Sequence, residues 1–197
     1  MPNLIYSEDS SDKVEKEFTV SVLTEDKSGL LNHITIIFNR RKINLESLNV
    51  STTEVAGVSR FTIVLTSTRE KIEKVVNQIR KLIDVLGAFV YDEDEIYYQE
   101  IALYKVPTAI FLEGNSIETL VRNNGARILV IEKDHIVIEK TGHKSDTRAM
   151  YELLEPYGLL EFVRSGRVAI SKSKRKTEAY IKQLEDSSSN QLSIKDF

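Results

Sequence analysis

Residue types able to do covalent or acid/base chemistry are thinly spread in this 197-residue chain. The three histidines, His33, His135 and His143, lie far apart, and none has a metal-ligand partner three or four residues on. Asp92-Glu93-Asp94-Glu95 is a run of four carboxylates. Adjacent side chains on an extended segment cannot all converge on one cation, so a solvated linker is the expected reading. Thr141-Gly142-His143-Lys144-Ser145 has the residue types of a phosphate loop but lacks its Gly-Lys pair and upstream glycine. Neither G-x-S-x-G nor G-x-G-x-x-G occurs, and no nucleophile or acid/base set assembles. The pattern points to binding rather than catalysis.

The stretch with binding chemistry is Thr24–Leu48. A strand over Phe18–Leu23 enters a polar turn, and a helix is expected to start near Ser28-Gly29. Leu30, Leu31, Ile34, Ile37 and Phe38 recur at helical spacing and predict one apolar face. Arg40, Arg41 and Lys42 fall in the last turn, where cations suit the helix dipole. The first N–H groups of a helix have no partner within it, and Gly29 lets another molecule approach them. A carboxylate there gains about 0.3–1 kcal/mol from the dipole. A turn with only water at its end is the competing reading.

The elements around this turn follow from periodicity. Ser47–Thr53 and Arg60–Ser67 alternate as a hairpin about Val55-Ala56-Gly57-Val58. An amphipathic helix is predicted over Glu70–Leu86, with Gly87 as its stop and Ala88–Asp92 as a short strand. The order is β-α-β-β-α-β, the ferredoxin-like split unit, with helices on one sheet face and the other left open for a partner. A second unit starts near Tyr98. It has a strand ending at Pro107, a weak helix over Ser116–Asn124, and a hairpin of Ala126–Glu132 and His135–Lys140 about Lys133-Asp134. Thr141-Gly142 is read as a turn, Asp146–Leu154 as a helix, and Leu159–Ser171 as a strand interrupted near Ser165-Gly166. The fold class is therefore α+β, two tandem ferredoxin-like domains. The expected divisions are a flexible leader over 1–16, domains over 17–93 and 98–172, and a flexible tail over 173–197. In that tail Thr177–Leu184 is a candidate helix, and Ser187–Phe197 reads as disordered.

Composition excludes several function classes. Hydrophobic residues are 41% and charged residues 29%, as in ordinary globular domains. A net charge of −3 supplies no global field for nucleic acid or an anionic membrane. The basic run Lys172-Ser-Lys-Arg-Lys has no interleaved aromatics and reads as solvated. With no cysteine there are no disulfides or thiolate sites, which fits a cytoplasmic protein. No apolar run approaches the roughly 20 residues of a membrane helix, and the polar N-terminus does not read as a secretory signal.

Two segments carry a family resemblance. Glu25-Asp-Lys-Ser-Gly-Leu-Leu, with the later Ile43-Asn-Leu-Glu-Ser-Leu, resembles the ACT domain of the small regulatory subunit of acetolactate (acetohydroxyacid) synthase. Leu153-Leu-Glu-Pro-Tyr-Gly-Leu-Leu-Glu-Phe-Val-Arg-Ser-Gly-Arg-Val-Ala-Ile-Ser is similar to the C-terminal signature of the same family. The resemblance implies a non-catalytic chain with no cofactor of its own. It implies a large catalytic subunit as partner, carrying thiamine diphosphate, magnesium and FAD, which the small subunit activates. It also implies feedback by valine or another branched-chain amino acid, bound at the interface of an ACT homodimer. On this pattern Asp26, Lys27, Ser28, Gly29, Leu30 and Leu31 form the effector loop, with the N–H groups of Gly29 and Leu30 on the carboxylate. Asn44 and Leu45 reach across from the other subunit, and Leu31, Ile34 or Ile43 meets the apolar side chain. Asp26 stands where many members have Asn, and Lys42 where a glycine is common. A stand-alone amino-acid-sensing ACT regulator is the alternative, although no DNA-binding helix is visible.

Overall fold

β1 (Lys16–Glu25) is the spine of the first half of the chain. Its register puts Phe18, Val20 and Val22 on one face and Thr19, Ser21 and Leu23 on the other, as a period of two requires. It pairs antiparallel with β3 (Val58–Ser67) and β4 (Val85–Tyr91), and β3 also carries β2 (Ser47–Thr52), giving the order β2-β3-β1-β4. This computed structural model describes residues 14–109, 116–174 and 177–184, apart from the Ser116 side chain. Most of the expected leader, and all of Ser187–Phe197, lie outside the described residues.

α1 (Leu30–Arg40) and α2 (Arg69–Ile79) cover the inner face of this sheet. α1 contains Ile34-Thr35-Ile36-Ile37, four β-branched residues of modest helix propensity. Burial holds it helical. Leu30, Ile34, Ile37 and Phe38 join Phe18, Val20 and Ile63 in one core, and each such side chain is worth about 1.5–3 kcal/mol. Leu31, expected on that apolar face, points away and is 46% exposed. α2 has stronger local support. Thr68 caps it by accepting from the Lys71 N–H, and the pairs Arg69–Glu73 and Glu70–Lys74 follow at i,i+4.

α2 stops at Ile79, seven residues before the predicted Leu86. The apolar positions Leu82, Ile83 and Leu86 continue the helical period, but the chain must turn there to reach the edge of β1. Arg80 fixes the turn by donating from Nε and Nη2 to the Ala88 carbonyl at 2.9 and 2.6 Å. Ile83 is left 95% exposed, and Gly87, predicted as the helix stop, sits inside β4.

The second half repeats the order. β5 (Ile96–Pro107) is followed by α3 (Ser116–Asn123), β6 (Arg127–Ile131), β7 (His135–Gly142), α4 (Lys144–Leu154), β8 (Glu161–Arg164) and β9 (Val168–Ser171). The sheet order β6-β7-β5-β8 reproduces that of the first half, and β9 also pairs with β5. Ala102, Tyr104, Val106, Ile136 and Ile138 pack beneath Val121, Met150 and Leu154. Thr141-Gly142, read as a turn, instead extends β7 and pairs with Ile101 and Glu100. The chain is α+β throughout, with both halves in the ferredoxin-like βαββαβ order. The units divide between Tyr97 and Tyr98, and the described residues from Ile170 on belong to the first unit.

That return changes the reading of the tail. Residues 177–184 form a helix, and Ile181 is buried with Leu23 and Val58 on the outer face of the first sheet. The face expected to stand open is therefore covered in part by the chain itself.

Candidate functional site

The turn between β1 and α1 is shaped from both sides. The pairing of β1 with β4 shifts register between Leu23 and Thr24, and beyond it the Glu25 N–H donates to the Asp84 carbonyl at 2.9 Å. The Asp26 N–H donates to the Gly57 carbonyl at 2.8 Å, and the Ser59 hydroxyl donates to Asp26 Oδ1 at 3.0 Å. Lys27 Nζ lies 2.5 Å from Glu25 Oε2 and 2.9 Å from Asp84 Oδ1. Hydrogen bonds to Glu25 first, and to Asp84, hold the Lys27 ammonium above the usual lysine range. Thr24, fully buried, has a hydroxyl with no hydrogen-bond partner among the described residues.

At Gly29 the backbone takes φ 89° and ψ −17°, the left-handed region, and α1 begins. Open space lies where a Cβ would be, so glycine is required by conformation and not by crowding. The Gly29 carbonyl accepts the first helical bond, from the His33 N–H at 3.2 Å. Among the described residues no side chain caps α1, and its first turn holds no acidic residue, whereas α2 has both Thr68 and Glu70. The positive end of the α1 dipole thus has no counter-charge within the helix's own first turn. Asp26, Lys27, Ser28 and Gly29 are exposed, while Leu30 closes the core beneath them.

The far end of α1 explains Asn44. Lys42 N–H donates to the Asn39 carbonyl at 3.0 Å and Ile43 N–H to the Phe38 carbonyl at 3.1 Å. These two bonds make a Schellman motif, with Ile43 and Phe38 meeting in the core. Lys42 occupies the position where glycine is usual, at φ 54°. The motif drives Ile43 inward, leaves Asn44 exposed and half-buries Leu45 against the core. An 11-residue helix is about 16 Å long. Within one chain, then, Asp26 to Gly29 stand together and Asn44 stands at the opposite end of α1. Ile34 and Ile43 are core residues, so of the three apolar residues named for a ligand side chain only Leu31 is exposed.

The remaining candidates are occupied structurally. Asp92 receives Lys16 at 2.8 Å and Arg69 at 3.4 Å, while Glu95 accepts from the Asp92 N–H at 2.8 Å. Among the described residues no three His, Asp or Glu side chains gather as a metal site. His135 lies 2.8 Å from Asp134, which lowers the Asp134 pKa through their hydrogen bond, and His143 packs edge-on against Tyr98. Asp84 and Ser59, which hold the turn, gave no signal in sequence, and Gly57 showed only as part of a hairpin turn, because each acts on Glu25, Asp26 or Lys27 across a long separation. Among the described residues no helix is long and apolar enough to cross a membrane.

Comparison with known proteins places both halves. A family model for the "AHAS small subunit-like ACT domain" matches residues 20–87, and one for the "small subunit of acetolactate synthase" matches residues 99–173. The helix over 177–184 lies beyond both. The acetolactate synthase small subunit of Mycolicibacterium smegmatis is 36% identical over 157 residues, covering 80% of this chain and 92% of that one. That of Bacillus subtilis is 35% identical over 154 residues, covering 78% and 89%. The crystal structure of the Thermotoga maritima acetolactate synthase small subunit superposes with a TM-score of 0.73 at 28% identity, covering 81% of this chain and 99% of that one. With an ACT domain first and a second ferredoxin-like domain after it, the chain belongs to the family of acetolactate synthase small subunits.

Proposed function

We propose that this chain is a cytoplasmic, non-catalytic regulatory subunit. It binds the catalytic large subunit of acetolactate synthase, raises its activity, and makes it sensitive to valine or another branched-chain amino acid. The thiamine diphosphate, magnesium and FAD of that reaction reside in the large subunit. The observation that carries the effector reading is the α1 start at Gly29, which has no side-chain cap among the described residues and no acidic residue in its first turn.

In this reading the effector carboxylate accepts from the N–H groups of Gly29 and Leu30. Its ammonium donates to the Asn44 side-chain oxygen, and its apolar side chain rests on Leu31. Within one chain Asn44 stands at the far end of α1 from Gly29, and in this reading, as the family resemblance implies, it reaches in from the second copy of an ACT homodimer. An effector that bridges two copies favours one dimer arrangement. If the catalytic subunit prefers another, each binding event weakens the other.

Calorimetric titration with valine, leucine and isoleucine tests the site. Saturation near one ligand per chain, lost in Asn44→Ala, is expected. Adding the chain to a thiamine-diphosphate-dependent large subunit tests the assignment, with a rise in acetolactate formation expected. No rise and no co-elution would sink the regulatory reading, and acetolactate formation by this chain alone would sink the non-catalytic one.

A further inference from the structure

The outer face of the first sheet carries a groove made for the tail helix over 177–184. Thr177, Tyr180, Ile181 and Leu184, at i, i+3, i+4 and i+7, are its less exposed residues, whereas Glu178 and Lys182 pair on the solvent side at 3.2 Å. Ile181, 6% exposed, seals against Leu23 and Val58. The Tyr180 ring lies edge-on to Phe89, 5.5 Å between centroids, and its hydroxyl donates to the Leu86 carbonyl at 3.2 Å. The Arg60 Nη2 donates to the Thr177 hydroxyl at 3.0 Å. Gly87 has the matching shape, because a Cβ there would fall 2.8 Å from the Tyr180 oxygen and 2.9 Å from its Cε1.

The groove is also the floor of the turn. Leu23 precedes the register shift that leads to Asp26. Val58 pairs with Glu25 and lies between Gly57 and Ser59, the two residues that bond Asp26. Leu86 follows Asp84, which bonds both the Glu25 N–H and the Lys27 ammonium. Leu23, Val58 and Leu86, which the tail helix covers, are thus each within three positions of a residue that shapes the turn.

We propose that the tail helix is a latch, docked on the outer face of the first sheet, that holds the Asp26–Gly29 turn in its ligand-ready shape. An eight-residue helix is marginal by itself, so its helicity depends on docking, and undocking releases both the helix and the turn. The effect on an amino-acid effector rests on the function proposed above, whereas the docking and its hold on the turn do not.

Hydrogen exchange on the full chain tests the latch in the absence of ligand. Compared are wild type, Tyr180→Ala/Ile181→Asp, and the solvent-face control Lys182→Gln. Gly87→Val is a second release variant that leaves the tail sequence intact, suits a strand and evicts the Tyr180 ring. Both release variants should speed exchange over 177–184 and at the Glu25 and Asp26 amides on the order of ten-fold, with the control unchanged. Fast exchange over 177–184 in wild type, or unchanged Glu25 and Asp26 amides once the helix is released, would overturn the latch. Valine titration of the same proteins separates the two claims. If wild type binds, release should weaken binding by roughly five-fold or more, and equal affinity would overturn the ligand-ready role. If wild type does not bind valine, leucine or isoleucine, the effector reading fails and the exchange result alone decides the latch.

Discussion

Lys27 Nζ lies 2.9 Å from Asp84 Oδ1, joining residues 57 positions apart at the base of the candidate effector turn. The pair is solvent-accessible, so it matters more for the shape of the turn than for global stability. Lys27→Met should leave the melting temperature close to wild type and yet speed exchange of the Glu25 and Asp26 amides. The folded-state pKa of Lys27 lies above its unfolded value of about 10.4. The contribution is complete below that value and fades only as pH rises through the folded one. The melting difference between wild type and Lys27→Met should therefore be constant between about pH 7 and 9.

Gly29 separates backbone strain from charge. Ala and Asp at φ 89° each carry a cost of about 1 kcal/mol with no clash, but only Asp places a negative side chain where the ligand carboxylate would bind. Gly29→Asp should abolish valine inhibition of the assembled enzyme while keeping activation. Gly29→Ala should keep partial inhibition at similar loss of thermal stability. Inhibition persisting unchanged in Gly29→Asp would remove this turn from the effector site.

Lys42 is a non-glycine residue in the left-handed position of a Schellman motif. Lys42→Gly relieves about 1–2 kcal/mol of conformational strain and loses roughly 0.5–1 kcal/mol to the freer unfolded chain. A net gain of about 0.5–1 kcal/mol is expected in urea denaturation. A loss would mean that the lysine side chain contributes contacts of its own.

Tyr104 is fully buried, and its hydroxyl donates to the Thr147 carbonyl of α4 at 2.5 Å. Burial pushes its pKa up to about 12. An unfolded tyrosine ionises near 10, so Tyr104 favours the folded state below that and loses this hold as pH rises from about 10 to 12. Absorbance titration of wild type against Tyr104→Phe should show one late-ionising tyrosine missing in the variant. Tyr104→Phe should cost about 1 kcal/mol through the lost bond.

Much of this architecture was legible in the residues. Alternation in β1 and β3 and the apolar spacing of α1 marked the residues that meet the first core, whereas β5 buries Ala102, Tyr104 and Val106 and leaves Ile101 and Leu103 exposed, so apolar residue type did not mark its inner face. The end of α2 was not legible. Leu82, Ile83 and Leu86 keep helical spacing for other reasons: Leu82 caps the core, Ile83 is exposed and Leu86 serves the tail helix. Gly87 carried a real signal, but its cause is the Tyr180 ring and not a helix terminus. Of the site, the Asp26–Gly29 turn could be read locally, since a left-handed glycine before an apolar helix is a short-range pattern. Its tethers Gly57, Ser59 and Asp84 are long-range and leave no such trace. The tail did offer one: Thr177, Tyr180, Ile181 and Leu184 form a helical stripe in an otherwise polar segment.

The return of the tail to the first unit sets an order of assembly during synthesis. The first unit's sheet and both its helices are synthesised by the time Tyr97 is added, but the segment that covers part of its outer face is at 177–184. At about 5–20 residues per second, the whole second unit must be translated before that segment emerges, a delay of roughly 4–20 s. Throughout that interval Leu23, Val58, Leu86 and Phe89 lack their partner. A nascent chain that stalls within the second unit would present this apolar patch to chaperones and to neighbouring chains.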